Sequence, residues 1–99
     1  MGGDEAERDR AAASVRRALS GEVFPALRAV AVDCGPRFVT FRAYVHGALS
    51  DDDAEALSRV ETEVMADYAP DVTVTHEVIR CDRPEPLAAG GLRVFEADS

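Results

Sequence analysis

The 99-residue sequence contains no lysine, asparagine, glutamine or tryptophan, and it has only two cysteines. All of its positive charge is therefore carried by 11 arginines, which fits the codon bias of a GC-rich genome better than any one surface function. Two cysteines are too few and too far apart for a disulfide framework, and a bridge between Cys34 and Cys81 would require strand pairing to bring them together. His46 and His76 complete a two-Cys, two-His set, but none of the short paired spacings of a structural zinc site is present, so no metal or other cofactor is expected. No apolar run approaches the roughly 20 residues of a membrane span. The opening Met1-Gly2-Gly3-Asp4-Glu5 has neither the basic nor the apolar region of a secretory signal. The expected location is cytoplasmic, with no membrane partner.

Catalytic signatures are also missing. The sequence has no Gly-rich phosphate loop, no serine nucleophile motif, no HExxH run and no Cys–His pairing at a recognised spacing. It is read as non-enzymatic. A length of 99 residues, with 46% hydrophobic and 30% charged residues, fits one folded domain spanning 1–99.

The charge that is present is uneven. The net charge is −8, yet residues 1–20 balance four acids against four arginines. Residues 48–71 hold Asp51, Asp52, Asp53, Glu55, Glu61, Glu63, Asp67 and Asp71 against Arg59 alone, a net −7. Such a field repels phosphate backbones and anionic lipid and steers basic partners, so nucleic acid is excluded as a partner and a basic protein is favoured. A solvated acidic surface that keeps the chain soluble is the plain alternative.

The periodicity predicts six elements. Residues 1–4 are expected to fray, and 5–20 form a helix with Ala11, Ala12, Val15, Ala18 and Leu19 on one narrow face. Strands over 27–33 and 37–46 flank Asp33-Cys34-Gly35-Pro36 and form an antiparallel hairpin. In the second strand Val39, Phe41, Ala43 and Val45 point one way, while Phe38, Thr40, Arg42, Tyr44 and His46 point the other. Ser50 is placed to cap a helix over 51–68, in which Leu57, Val60, Val64, Met65 and Tyr68 recur at helical spacing. A strand over 72–80 and an edge strand over 92–96 complete the order α-β-β-α-β-β. The expected fold is a two-layer α/β (α+β) arrangement, a four-stranded, mainly antiparallel sheet with two helices on one face. The helix between the second and third strands leaves room for a parallel pair.

Three groups of residues could carry function. Asp51, Asp52, Asp53, Glu55, Glu63 and Asp67 form the candidate partner-binding surface of the second helix. Phe38, Arg42, Tyr44 and His46 are the alternative: an uncovered sheet face through which the chain homodimerises or binds a small ligand, or else an ordinary half-exposed sheet. Glu61 falls inside the apolar stripe of the second helix, so its carboxylate must be paired or protonated. An arginine or a hydroxyl from the sheet or first helix is the expected partner; a partner contact and a general-base role are the other readings. His76, on the face of Val74 and Val78, reads as a satisfied core or rim histidine.

Residues 23–96 also carry a resemblance. It rests on Phe41-Arg42-Ala43-Tyr44-Val45-His46-Gly47, Leu49-Ser50-Asp51-Asp52-Asp53, Val60-Glu61-Thr62-Glu63-Val64-Met65-Ala66-Asp67-Tyr68 and residues 77–87 with Pro84-Glu85-Pro86. In these the chain resembles small bacterial immunity proteins associated with contact-dependent growth inhibition. That resemblance implies a small cytoplasmic α/β protein that neutralises a cognate toxin domain, commonly a nuclease. The Ala/Arg-rich first helix and the Gly90-Gly91 bend depart from the pattern.

Overall fold

In the computed structural model residues 2–88 and 90–97 are described, with side chains from Glu5 onward. The elements are α1 (Gly2–Leu19), β1 (Leu27–Gly35), β2 (Phe38–Val45), α2 (Asp51–Ala66), β3 (Thr73–Arg80) and β4 (Leu92–Glu96). α1 opens at Gly2, where the sequence placed the start of the helix at residue 5.

The four strands form one sheet in the order β3-β2-β1-β4. β1 pairs antiparallel with β2 and with β4, whereas β2 and β3 are parallel because α2 carries the chain back between them. The α+β architecture expected from the sequence is thus observed, with a mixed sheet. Both helices cover one face. There Ala11, Ala12, Val15, Ala18 and Leu19 of α1 and Leu57, Val60 and Val64 of α2 pack on Val30, Val32, Val39, Phe41, Ala43 and Val45. Phe41 is the largest fully buried side chain. Ser50 caps α2 as expected, its Oγ accepting from the Asp53 N–H at 3.1 Å.

The other face is covered in its middle, while Phe38, Thr75 and Glu77 on it stay exposed. β3 and β4 lie on opposite edges, so residues 81–91 must cross the two inner strands to connect them. This strap lays Leu87 over a second small cluster of Ala29, Ala31 and Tyr44, with Ile79 and Cys81 beside it. A bulge in β1 helps to hold it down. The pairing shifts between Leu27, opposite Val45, and Ala29, opposite Tyr44, which leaves Arg28 as the extra residue. Arg28 Nη1 donates to the carbonyls of Cys81 at 2.7 Å and Glu85 at 2.8 Å.

Cys34 and Cys81 do not pair with one another. Cys34 stands opposite Val39 near the hairpin turn, and the Cys81 N–H bonds to Val45 O at the other end of β2.

Candidate functional site

Turning at about 100° per residue, α2 places Leu57, Val60 and Val64 against the core and Asp51, Asp52, Glu55, Arg59 and Glu63 together on the opposite side. Asp51, Asp52, Glu55 and Glu63 are exposed, and Asp53 is half-buried beside the cap. Arg59 sits in the middle of this stripe but does not neutralise it. Its guanidinium makes a two-pronged contact with Glu22 (3.0–3.2 Å), a residue from outside the helix, and lies only within 4.0 Å of Glu55. That contact lowers the Glu22 pKa and raises that of Arg59. No ion pair among the described residues holds Asp51, Asp52 or Glu63. A shallow depression lined by Glu55, Ser58, Arg59, Thr62 and Glu63 runs along the stripe.

Asp67, the last of the partner-binding candidates, lies apart from this stripe and is engaged by α1. Its carboxylate accepts from the buried Ser14 hydroxyl and from Arg17, while its carbonyl accepts from Arg10 Nη2 at 2.8 Å. Arg10 also lies over the Tyr68 ring, 4.5 Å from its centroid. The end of α2 is therefore a structural joint with α1.

Glu61 is half-buried and finds its partner on the sheet, as expected, but that partner is a histidine rather than an arginine or a hydroxyl. His76 Nδ1 lies 2.6 Å from Glu61 Oε1, with the carboxylate as acceptor. The imidazole stacks on Phe41, with ring centroids 5.2 Å apart. Both residues had been visible as inward-pointing polar side chains; the sequence did not show that they meet.

The alternative sheet-face surface is dispersed by the strap. Tyr44 is 3% exposed beneath it. Arg42 is pinned by Asp33, which raises its pKa, and its Nε lies 3.4 Å from the Tyr44 hydroxyl. Phe38 (44% exposed) and His46 are exposed but stand at opposite ends of β2. His46 serves the strap: its Nδ1 accepts from the Arg83 N–H at 2.9 Å. Next to it, Gly47 N–H and Arg80 both donate to Asp82, and these bonds, Arg80 first, hold the Asp82 carboxyl down at about 2. Arg80 is a near neighbour in sequence, but the second partner, the Gly47 N–H, comes from a distant turn that the sequence did not connect to Asp82.

The described residues include no helix long and apolar enough to cross a membrane and no group of three or more His, Cys, Asp or Glu placed to hold a metal. The cavity between α1 and the hairpin turn, lined by Glu7, Arg10, Cys34, Pro36 and Tyr68, is only about 90 Å³, below the size of an ordinary small-molecule site.

Residues 8–96 match the MafI2 immunity protein family. The chain belongs to that family. No curated protein matches it. The MafI2 match covers α1 from Arg8 onward, α2 and β1 to β4, so the acidic stripe of α2, the α1–α2 joint and the strap lie within the family domain.

Proposed function

We propose that this MafI2 immunity protein neutralises its cognate toxin by binding, without catalysis, through the exposed acidic stripe of α2. The carrying observation is the charge arrangement. Asp51, Asp52, Glu55 and Glu63 share one solvent face, and the single arginine among them is engaged by Glu22. A nuclease must present a basic groove to hold phosphate, and a rigid row of carboxylates can occupy such a groove as a phosphate mimic. The toxin is accordingly read as a basic domain, with a nuclease the leading class, met in the cytoplasm of the producing cell. Opposite charge steers such an encounter and accelerates it most at low salt.

The test compares the wild-type chain with an Asp51→Arg/Asp52→Arg/Glu55→Arg variant. Tagged protein is recovered from its own cells, stoichiometric partners are identified, and association rates are followed from low to high salt. The expected outcome is one basic toxin bound by the wild type, with association slowed about ten-fold or more by charge reversal. A partner bound equally fast by both forms, at a rate indifferent to salt, would overturn the acidic-stripe reading.

A further inference from the structure

The acidic stripe accounts for α2 but leaves the neighbouring edge of the sheet unused. β3 is an outer strand, and its register with β2 runs unbroken from Phe38–Thr73 to Val45–Arg80. The Thr73 N–H bonds to Arg37 O and the Cys81 N–H to Val45 O, each at 2.8 Å. Alternate residues of a strand direct their backbone groups to the same side. Thr73, Thr75, Glu77 and Ile79 therefore face β2, and Val74, His76, Val78 and Arg80 turn their N–H and C=O groups outward. No described element pairs with that side.

Natural proteins guard such edges with proline, lysine, bulges or short strands. β4 follows the rule: it has five residues, and its pairing with β1 is interrupted between Val30 and Ala31. β3 has eight residues, no proline and no bulge, and its charged residues are Glu77 and Arg80.

The side chains flanking the edge differ between its two faces. On the helix side stands Val78 (40% exposed) beside the buried Val74, and Met65 of α2, one helical turn beyond Glu61, is 51% exposed. On the other side Thr75 and Glu77 are exposed, and no ion pair among the described residues holds Glu77. An incoming strand would meet apolar groups on one face and a carboxylate on the other.

We infer that the outer edge of β3 accepts an extended segment of the toxin, added antiparallel or parallel as a fifth strand, with apolar side chains towards α2 and basic side chains towards Glu77. This rests on the proposed function, which supplies a basic partner already held against the adjacent helix. Charge decides against a second copy of this chain. Each copy carries a net charge of −8, so two copies brought edge to edge beside their acidic helices repel.

The probe is a blocked peptide of alternating valine and arginine, matched in length to β3, compared with its valine–glutamate counterpart. Amide chemical shifts and hydrogen exchange are recorded on the full chain. Expected are binding at least about ten-fold tighter for the arginine peptide and slowed exchange at Val74, His76, Val78 and Arg80. Val78→Pro removes one outward N–H at a position where an edge strand tolerates proline. It should retain the amide spectrum of the fold and lose the peptide. Equal binding of both peptides, no slowing at those four amides, or binding by a well-folded Val78→Pro variant would overturn the inference. So would a dimer in sedimentation of the protein alone that Val78→Pro abolishes, since the edge would then belong to a second copy. Toxin captured equally by the Val78→Pro variant would remove the edge from the interface and leave the acidic-stripe reading standing.

Discussion

The imidazole of His76 is clamped between two elements, its Nδ1 2.6 Å from Glu61 on α2 and its ring stacked on Phe41 of β2. This is the polar link between the acidic helix and the edge strand. His76→Ala loses both contacts and is expected to lower stability by about 1–2 kcal/mol. Glu61→Ala loses one and should cost about 1 kcal/mol. A double-mutant cycle in urea should return a coupling of roughly 0.5–1 kcal/mol; additive losses would show that the contact contributes nothing.

Tyr44 and Phe38 point to the same side of β2 but should respond unequally to truncation. Tyr44→Ala empties the space under Leu87 and is expected to cost about 3 kcal/mol, because a buried aromatic is lost. Phe38→Ala, at an exposed position, should cost less than about 1 kcal/mol. Urea midpoints compare the two directly. Equal, small losses would mean that the strap does not seal this face.

Gly91 and Gly47 provide a second pair. Both have positive φ, 68° and 78°, so alanine is strained at either, by roughly 1–2 kcal/mol. A Cβ at Gly47 meets nothing within 4 Å, whereas one at Gly91 would sit 2.7 Å from Arg42 Nη2 and 3.1 Å from Val32 O. Gly91→Ala should therefore lower the thermal midpoint more than Gly47→Ala. The reverse order would place the strap's end elsewhere than against Arg42.

Asp82 predicts an acid-side effect. Arg80 and the Gly47 N–H lower its carboxyl from 3.8 to about 2 in the folded protein, so between these values the unfolded chain binds more protons. The contribution of Asp82 is complete above about pH 4 and disappears as the pH falls through about 2. In urea titrations from pH 5 to 2, the stability gap between wild type and Asp82→Asn should narrow as the pH drops. A gap that is constant with pH would assign the loss to packing.

Much of this fold was legible because its signals are local. The alternation of Val39, Phe41, Ala43 and Val45, the cap at Ser50 and the helical spacing of Leu57, Val60 and Val64 each follow from neighbours within a few residues. The acidic stripe was legible for the same reason. What could not be read depended on strand order. Only when β3 and β4 occupy opposite edges does the 81–91 connection have to bury Tyr44. Likewise, Asp67 reads as one more surface acid until α1 brings Ser14 and Arg17 to it. Glu61 and His76 each signalled an unmet polar group, but periodicity places a residue on a face without saying which residue stands across from it.

The strap also orders assembly in time. β1 and β2 are joined by a turn at Pro36 and Arg37, while β4 reaches β1 only across some sixty residues. Closing the longer loop costs about 2–3 kcal/mol more in chain entropy. The hairpin is thus the cheap nucleus, and β4 is the late arrival. Because that late strand completes the sheet beside β1, on the far side from α2 and β3, the half of the molecule that would meet a toxin can take shape before the last strand docks.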